Sequence, residues 1–195
     1  SLAAGLVDPL TLPGTEALEA VQHVLSDPAS ARAALQYGTT AGSERLRRLL
    51  CEHFSRLEGG TPASLGISRE RVLVTTGSQQ MLSLVCEVLL DPGDICLVAG
   101  PTYFVFLGAL EGVGAEQIVI PADAGGMKTN LLDEALARID AEGRLERVKL
   151  IYVVSDFDNP SGWSLAAARR SELVAIARKW SRTHRIYILE DAAYR

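Results

Sequence analysis

From residue 72 onwards, short apolar runs alternate with longer stretches in which hydrophobic positions recur at helical spacing. The apolar runs are rich in β-branched residues and predict strands at 72–76, 95–99, 117–120, 149–154 and 186–189. The stretches between them predict helices at 78–90, 103–110, 131–141 and 166–182. Because strands alternate with helices, the pattern predicts an α/β domain with a mainly parallel sheet.

The first 71 residues lack this alternation and carry helical patterns separated by glycine and proline. We expect Thr15 to cap a helix at 16–26, because a hydroxyl just before an amphipathic stretch is a helix-start signal. Ser43 is expected to cap a second helix at 44–58 in the same way. A polar, glycine-rich loop at 35–42 lies between these two helices.

The polar residues that follow the predicted strands are the candidates for a binding site. Right-handed crossovers bring the carboxyl ends of parallel strands to one edge of a sheet, where ligands bind in open α/β sheets. The candidates at this edge are Ser78, Gln79, Tyr103, Asn159, Asp191 and Tyr194. Each also has an ordinary interpretation, as a helix cap, a core aromatic, a ligand-free Asn-Pro turn or a solvated acid.

Together these side chains match the groups of one cofactor. The free N–H groups at the start of the helix that contains Ser78, together with its hydroxyl, suit a phosphate. The Tyr103 ring can stack on a flat ligand, while Asn159 and Tyr194 can hydrogen-bond to a ring oxygen. A carboxylate such as Asp191 raises the pKa of a nearby ring nitrogen. This combination predicts a site for pyridoxal 5′-phosphate, whose protonated ring acts as an electron sink.

Five motifs in a fixed order make the chain resemble the class I/II aminotransferases, which are fold type I pyridoxal-phosphate enzymes. The motifs are Y-G-T-T-A-G-S-E-R-L-R, V-T-T-G-S-Q-Q, P-T-Y, N-P-S-G and E-D-A-A-Y. The sequence is most similar to the branch with 2-aminoadipate and kynurenine aminotransferases, where the G-G-M stretch at 125–127 also has a counterpart. The resemblance implies a three-layer sandwich with a mainly parallel sheet for residues 43–195, after an N-terminal segment of residues 1–42.

The resemblance implies the same cofactor contacts for the six candidates and makes Asp191 and Tyr194 catalytic residues. Asn159 would also contact the substrate. Tyr37 matches a tyrosine that reaches the phosphate in the neighbouring subunit, which implies a homodimer with shared active sites. Gly5 matches a glycine near the substrate carboxylate.

The family's Schiff-base lysine and its C-terminal arginine, which would bind the substrate carboxylate, are both missing from the sequence. In the family, the lysine that forms the Schiff base follows the D-x-x-Y motif and a further strand, whereas this chain stops at Arg195. Its lysines, Lys128, Lys149 and Lys179, lie at other positions, and Lys149 and Lys179 are interpreted as ordinary surface charges. We therefore expect these residues to be the N-terminal half of a longer enzyme and to be inactive alone.

The implied activity is the transfer of an amino group between an α-amino acid and a 2-oxo acid. A lyase, decarboxylase or synthase on the same scaffold would use the same cofactor site, and so would a cofactor-binding module without catalysis. The sequence has neither added DNA-binding helices nor a basic patch, and this counts against the cofactor-binding module without catalysis. A generic nucleotide-binding domain is disfavoured, because neither G-x-G-x-x-G nor G-x-x-x-x-G-K-[ST] occurs.

Composition narrows the class of protein further. A net charge of −5 without a basic block argues against nucleic acid or an anionic membrane as the partner. The longest apolar run, at 81–90, contains Glu87 and is too short to span a bilayer, and no secretory signal is recognised. The three cysteines have no metal-ligand spacing, so we expect buried free thiols, no metal site and a cytoplasmic location.

Overall fold

The computed structural model describes residues 7–194. The chain divides into two compact units, and their boundary in the sequence lies between Val74 and Thr75. The sequence-based division into residues 1–42 and 43–195 separates an N-terminal segment from a large domain, and it stays a prediction. The two units are described separately below.

The first unit is helical in its described part. Its elements are a 3₁₀ turn at Pro9–Thr11, α1 at Gly14–Ser26, α2 at Pro28–Leu35, α3 at Glu44–Leu57, α4 at Pro62–Leu65 and a 3₁₀ turn at Arg69–Arg71. The predicted helices correspond to α1 and α3, whereas α2 lies where the sequence predicts no helix. The expected cap at Thr15 is wrong, because α1 begins at Gly14 and its N-cap position holds Pro13, without a side-chain hydrogen bond.

The Asp27-Pro28 pair explains why α2 is missing from the prediction. A proline after a helical stretch is normally a stop signal. Here the Asp27 side chain accepts a hydrogen bond from the Ser30 N–H at 2.7 Å, and Pro28 is the first residue of α2. Asp27 is the C-cap of α1 as well as the N-cap of α2, so the same pair ends one helix and starts the next.

Helix α3 is confirmed with its cap, but its apolar side is largely uncovered. The Ser43 hydroxyl accepts a hydrogen bond from the Leu46 N–H at 3.4 Å. Cys51 is buried on this helix, whereas four of its large apolar side chains are exposed. These four are Leu46, Leu49, Phe54 and Leu57.

The predicted strand at 72–76 is wrong. The structure has no regular secondary structure in this segment. Its backbone hydrogen bonds are two local turn contacts, at Val72 and Thr75, and one from the Val74 N–H to the Ala41 oxygen at 3.0 Å. Hydrophobicity and β-branching favour an extended chain here. A strand also needs a neighbour along its length, and the described residues place none beside this segment.

The second unit is an α/β layer structure built on a five-stranded sheet. Its helices are α5 at Gly77–Leu89, α6 at Phe104–Gly112, α7 at Thr129–Ala141 and α8 at Ala167–Trp180, with a 3₁₀ turn at Leu145–Arg147. Its strands are β1 at Ile95–Gly100, β2 at Glu116–Asp123, β3 at Gly126–Met127, β4 at Val148–Val154 and β5 at Tyr187–Asp191. The sheet order is β3-β2-β1-β4-β5, and only the short β3 runs antiparallel. The expected mainly parallel sheet is therefore confirmed.

Alternate residues of the central strands enter two separate cores, one on each face of the sheet. On one face, Ile95 and Leu97 pack with side chains of α7 and α8. On the other face, Cys96 and Val98 pack with side chains of α5 and α6. The arrangement of helices, sheet and helices is the three-layer sandwich expected from the sequence.

The cysteines are buried free thiols, as expected. Burial raises the pKa of Cys86 to about 11, and the nearby Glu87 charge adds to the shift. A buried thiol with a raised pKa is a poor nucleophile, so this side chain serves packing. No helix among residues 7–194 combines the length and the apolar character needed to cross a lipid bilayer.

Candidate functional site

A cavity of about 100 Å³ lies at the carboxyl ends of β4 and β5. Five of the residues predicted from the sequence line it, together with Val154 and Ala193. The five are Ser78, Tyr103, Asn159, Asp191 and Tyr194. Complete small-molecule sites usually enclose about 300–1,000 Å³, so these residues form one part of a site.

The start of α5 presents unpaired backbone donors. None of the described residues accepts a hydrogen bond from the N–H of Ser78, Gln79 or Gln80. Gly77 has a φ of +76°, a conformation that favours glycine, and a Cβ atom there would meet nothing within 4 Å. Unpaired backbone donors at a helix N-terminus suit an anion.

Ser78 itself does not cap this helix, although a cap was its alternative interpretation. The N-cap residue is Thr76, and its own N–H donates to the Gln80 side chain at 2.6 Å. The Ser78 side chain is exposed and lines the cavity. Its hydroxyl is therefore free to contact a ligand.

Tyr103 stands at the N-cap position of α6, directly after the connection that follows β1. It is half-buried and packs against the core formed by α5 and α6. Tyr103 also lines the cavity, so the core interpretation and the ligand-facing interpretation both describe part of its environment.

Asn159 lies in the loop between β4 and α8. The loop is folded back on itself, since the Asp158 N–H donates to the Trp163 oxygen at 2.8 Å and the Leu165 N–H to the Ser155 oxygen at 2.9 Å. Asn159 is exposed on this loop and its side chain borders the cavity. Burial raises the pKa of the neighbouring Asp158, whose Oδ2 accepts a hydrogen bond from Ser161.

Asp191 is the last residue of β5, and both of its carboxylate oxygens accept hydrogen bonds. The Tyr152 hydroxyl donates to Oδ2 at 3.0 Å, and the Ala193 N–H donates to Oδ1 at 3.2 Å. Tyr152 was not among the predicted site residues, because a tyrosine inside a buried strand is usually a core side chain. The signal that could have found it is its hydroxyl, since a buried Tyr O–H usually has a partner.

Arg170 on α8 connects the loop that carries Asn159 with strand β5, which carries Asp191, and it too was missed. Its guanidinium donates to the Ser155 oxygen at 2.9 Å and to Asp156 Oδ1 at 2.8 Å. It also donates to Glu190 Oε1 at 3.4 Å, and Glu190 is the residue directly before Asp191. An arginine on an exposed helix stretch gives no sequence signal for this role.

The remaining predicted site residues lie elsewhere. The Gln79 side chain does not line the cavity, and its Oε1 is buried without a partner among the described residues. Tyr37 belongs to the first unit and is 99% exposed. Gly5 lies outside the described residues. Tyr194 lines the cavity with about half of its surface exposed.

Lys149 and Lys179 are surface charges, as interpreted from the sequence, and none of the three lysines lines the cavity. Lys149 donates to the Glu146 oxygen at 2.8 Å, and Lys179 pairs with Asp133 at 2.7 Å. Within residues 7–194, no three His, Cys, Asp or Glu side chains are grouped so as to hold a metal ion.

Residues 3–195 match the family described as aminotransferase class I and II. The chain belongs to this family. The aromatic-amino-acid aminotransferase 1 of Thermococcus litoralis is 38% identical over 194 residues, which cover all of this chain and 43% of that relative. The aminotransferase family assignment therefore extends over the whole of the given sequence.

Solved aminotransferases have the same fold. The kynurenine aminotransferase of Pyrococcus horikoshii, solved with pyridoxamine phosphate, has a TM-score of 0.86 and 34% identity, with coverage of 97% of this chain and 44% of that one. The α-aminoadipate aminotransferase of Thermus thermophilus, complexed with a phosphopyridoxyl-leucine, has a TM-score of 0.80 and 31% identity. The match covers 100% of this chain and 44% of the Thermus thermophilus chain. The chain thus spans less than half the length of the relatives it matches.

Proposed function

We propose that the whole protein is a pyridoxal-phosphate-dependent aminotransferase that moves an amino group between an α-amino acid and a 2-oxo acid. The observation that carries this proposal is the single cavity lined by a helix-start serine, an aromatic ring, an amide, a carboxylate and a phenol. These groups match the phosphate, the ring face, the ring oxygen and the ring nitrogen of the cofactor.

The start of α5 would hold the phosphate. The unpaired N–H groups of Ser78 and Gln79, the exposed Ser78 hydroxyl and the open space at Gly77 support this assignment. The role of Gln79 would come from its backbone, because its side chain does not line the cavity. The positive end of the helix dipole adds to the attraction for the phosphate.

The other side chains would hold the ring. Tyr103 would lie against its face, and Asn159 and Tyr194 would donate to its oxygen. Asp191 would face the ring nitrogen and keep it protonated, since a nearby negative charge favours the protonated form. The bound cofactor would supply an electron sink for chemistry at the α-carbon, and these four residues would orient it.

The substrate and the remaining groups are part of the same proposal. Asn159 and Gly5 would contact the substrate, with Gly5 near its carboxylate. The Schiff-base lysine would belong to a part of the whole protein outside these 195 residues, because the lysines described here bond to surface groups. Relatives that act on aromatic amino acids, kynurenine and α-aminoadipate support an amino-acid donor.

We also infer a homodimer in which Tyr37 reaches the phosphate of the neighbouring subunit. The near-complete exposure of Tyr37 supports this, as do the many exposed apolar side chains of the first unit. Apolar surface of this density is normally covered in an assembled protein. The buried free thiols support a reducing, cytoplasmic location.

The test is a transamination assay on the whole protein with an amino acid and 2-oxoglutarate. We expect glutamate and the keto acid to form in equal amounts. Keto acid without glutamate would indicate an eliminating lyase, and an amine with carbon dioxide would indicate a decarboxylase. Either outcome would contradict the proposal.

The same assay tests the role of Asp191. We expect Asp191→Ala to lower kcat roughly a hundredfold or more, with a smaller effect on cofactor affinity, because ring protonation matters most in the transition state. Full activity of this variant would rule out its assigned role, even if the transaminase activity itself is found.

A further inference from the structure

Tyr152 is among the largest fully buried side chains of the described chain. It lies on β4, and its ring stacks on Phe106 with 3.9 Å between the ring centroids and 25° between the ring planes. A hydroxyl buried this deeply costs free energy unless it is hydrogen-bonded. Its partner is Asp191, whose Oδ2 accepts the bond at 3.0 Å.

The register of the sheet creates this contact. In the parallel pair of β4 and β5, Tyr152 is opposite Leu189 and Val154 is opposite Asp191. Residues two apart on a strand share a face, so all four side chains point to the same side of the sheet. The long phenol therefore spans one diagonal step, from the middle of β4 to the carboxylate at the end of β5.

The contact sets the orientation of the carboxylate. Its two oxygens have different hydrogen-bond donors, because Oδ2 accepts from the Tyr152 hydroxyl and Oδ1 accepts from the Ala193 N–H. A carboxylate offers about four lone-pair positions. Two are used here, and Asp191 still lines the cavity, so it can accept a further donor from that side.

Tyr152 can act only as a donor in this pair. Burial and the neighbouring charge of Asp191 raise the pKa of Tyr152 far above its ordinary value. The phenol therefore keeps its proton, and the stack on Phe106 holds the ring in place. The result is a rigid donor directed at a carboxylate that borders open space.

We propose that Tyr152 is a positioning residue, whose phenol holds Asp191 in the orientation that presents its carboxylate to the ring nitrogen of the cofactor. This inference rests on the proposed function, and it adds a residue that does not itself touch the cofactor. Tyr152 acts through Asp191, so its effect depends on the ring nitrogen being present.

The experiment uses Tyr152→Phe in the whole protein and two cofactors. The first is pyridoxal 5′-phosphate, and the second is its 1-deaza analogue, in which carbon replaces the ring nitrogen. We expect the variant to bind pyridoxal phosphate roughly threefold to tenfold more weakly, the size of one hydrogen bond. Its affinity for the deaza analogue should equal that of the wild type. The unfolding temperature is measured in parallel.

Two controls sharpen the result. Tyr187→Phe removes the hydroxyl of an exposed tyrosine on the same strand as Asp191 and should leave both affinities unchanged. In an Asp191→Asn background, adding Tyr152→Phe should cause no further loss for pyridoxal phosphate, since the two residues act as one unit.

The outcomes are distinct. An equal loss of affinity for both cofactors would mean that Tyr152 is only structural. No loss of affinity for either cofactor would also overturn the inference. The proposed function would stand in both cases. If the wild-type protein bound neither cofactor, the proposed function would fail and this inference with it.

Discussion

Residues 7–74 and residues 75–194 have similarly clear hydrophobic patterns, yet they bury very different amounts of apolar surface. Helices α1 and α2 contain no buried residue, and α3 buries Cys51 and Ser55. In the second unit, β1 and β4 are buried along almost their whole length. Periodicity therefore predicts which side chains share a face, but it does not show what covers that face.

The exposed side chains of the first unit are numerous enough to affect how it behaves. Large apolar side chains that are more than a third exposed occur along all of its described part. They are Val7, Leu10, Leu12, Leu18, Val21, Val24, Leu25, Leu35, Tyr37, Leu46, Leu49, Phe54, Leu57, Leu65 and Leu73. A unit with so little internal burial gains little stability from its own packing.

The strongest test of this comparison is a pair of leucine truncations in the 195-residue chain. Leu97→Ala, on the fully buried central strand, should lower the free energy of unfolding by about 2–5 kcal/mol because it leaves a cavity. Leu49→Ala, on the exposed side of α3, should change it by less than about 0.5 kcal/mol. Urea unfolding at several protein concentrations measures both.

Equal effects of the two leucine substitutions would mean that the first unit has a core of its own. A Leu49→Ala effect that grows with protein concentration would instead show that self-association covers α3. Either result would revise the contrast between the units.

The second prediction concerns Arg170, which holds the site loops of the second unit together. Arg170→Ala should cost about 1–3 kcal/mol of stability, because charged hydrogen bonds to Asp156 and to two backbone oxygens are lost. Cofactor affinity of the whole protein should fall as well, since the loop before Asn159 and the end of β5 before Asp191 lose their common anchor. Urea unfolding and a cofactor titration measure these two effects.

A matched control for Arg170 is available on the same helix. Arg178→Ala removes an exposed arginine for which the described residues offer no ion-pair partner. It should leave stability and cofactor affinity unchanged. If Arg170→Ala behaved like this control, the hydrogen bonds seen here would have no role in organising the site.

The sequence predicts the sheet well because buried parallel strands leave a strong apolar signal. The runs that became β1, β2, β4 and β5 are all close to their predicted positions. The failure at 72–76 has the same physical basis, since an apolar extended run looks like a strand whether or not a neighbour pairs with it. The two-residue β3 is too short to leave any periodic signal.

The candidate site is predictable to the extent that its residues follow strand ends. Ser78, Tyr103 and Asn159 line the cavity because each follows a strand or an extended segment, which is visible in the sequence. Tyr152 and Arg170 depend on register and on the path of a loop, and both are long-range features. A buried tyrosine and a helix arginine have ordinary explanations until the structure brings them to Asp191 and Asp156.

The third prediction asks whether the exposed first unit contributes to the site in an assembled protein. Tyr37→Phe in the whole protein should weaken cofactor affinity by roughly twofold to tenfold, the value of one lost hydrogen bond to the phosphate. The 195-residue chain kept dilute enough to stay monomeric should show no such effect. Equal affinity of the wild type and the variant in the assembled protein would make Tyr37 a structural residue only.

The smallest expected effect is the pH dependence of one exposed ion pair in the second unit. Hydrogen bonds from Arg169 hold the pKa of Asp123 at about 2, below its ordinary value of 3.8. Because the folded pKa is the lower one, this pair stabilises the fold above about pH 4, and the stabilisation is lost as the pH falls towards 2. The difference in unfolding temperature between wild type and Asp123→Asn should therefore shrink over that window.

The control is Glu111→Gln, which removes an exposed carboxylate without an ion-pair partner among the described residues. It should show no such trend. A difference for Asp123→Asn that stays constant down to pH 2 would mean that this pair does not contribute through its charge.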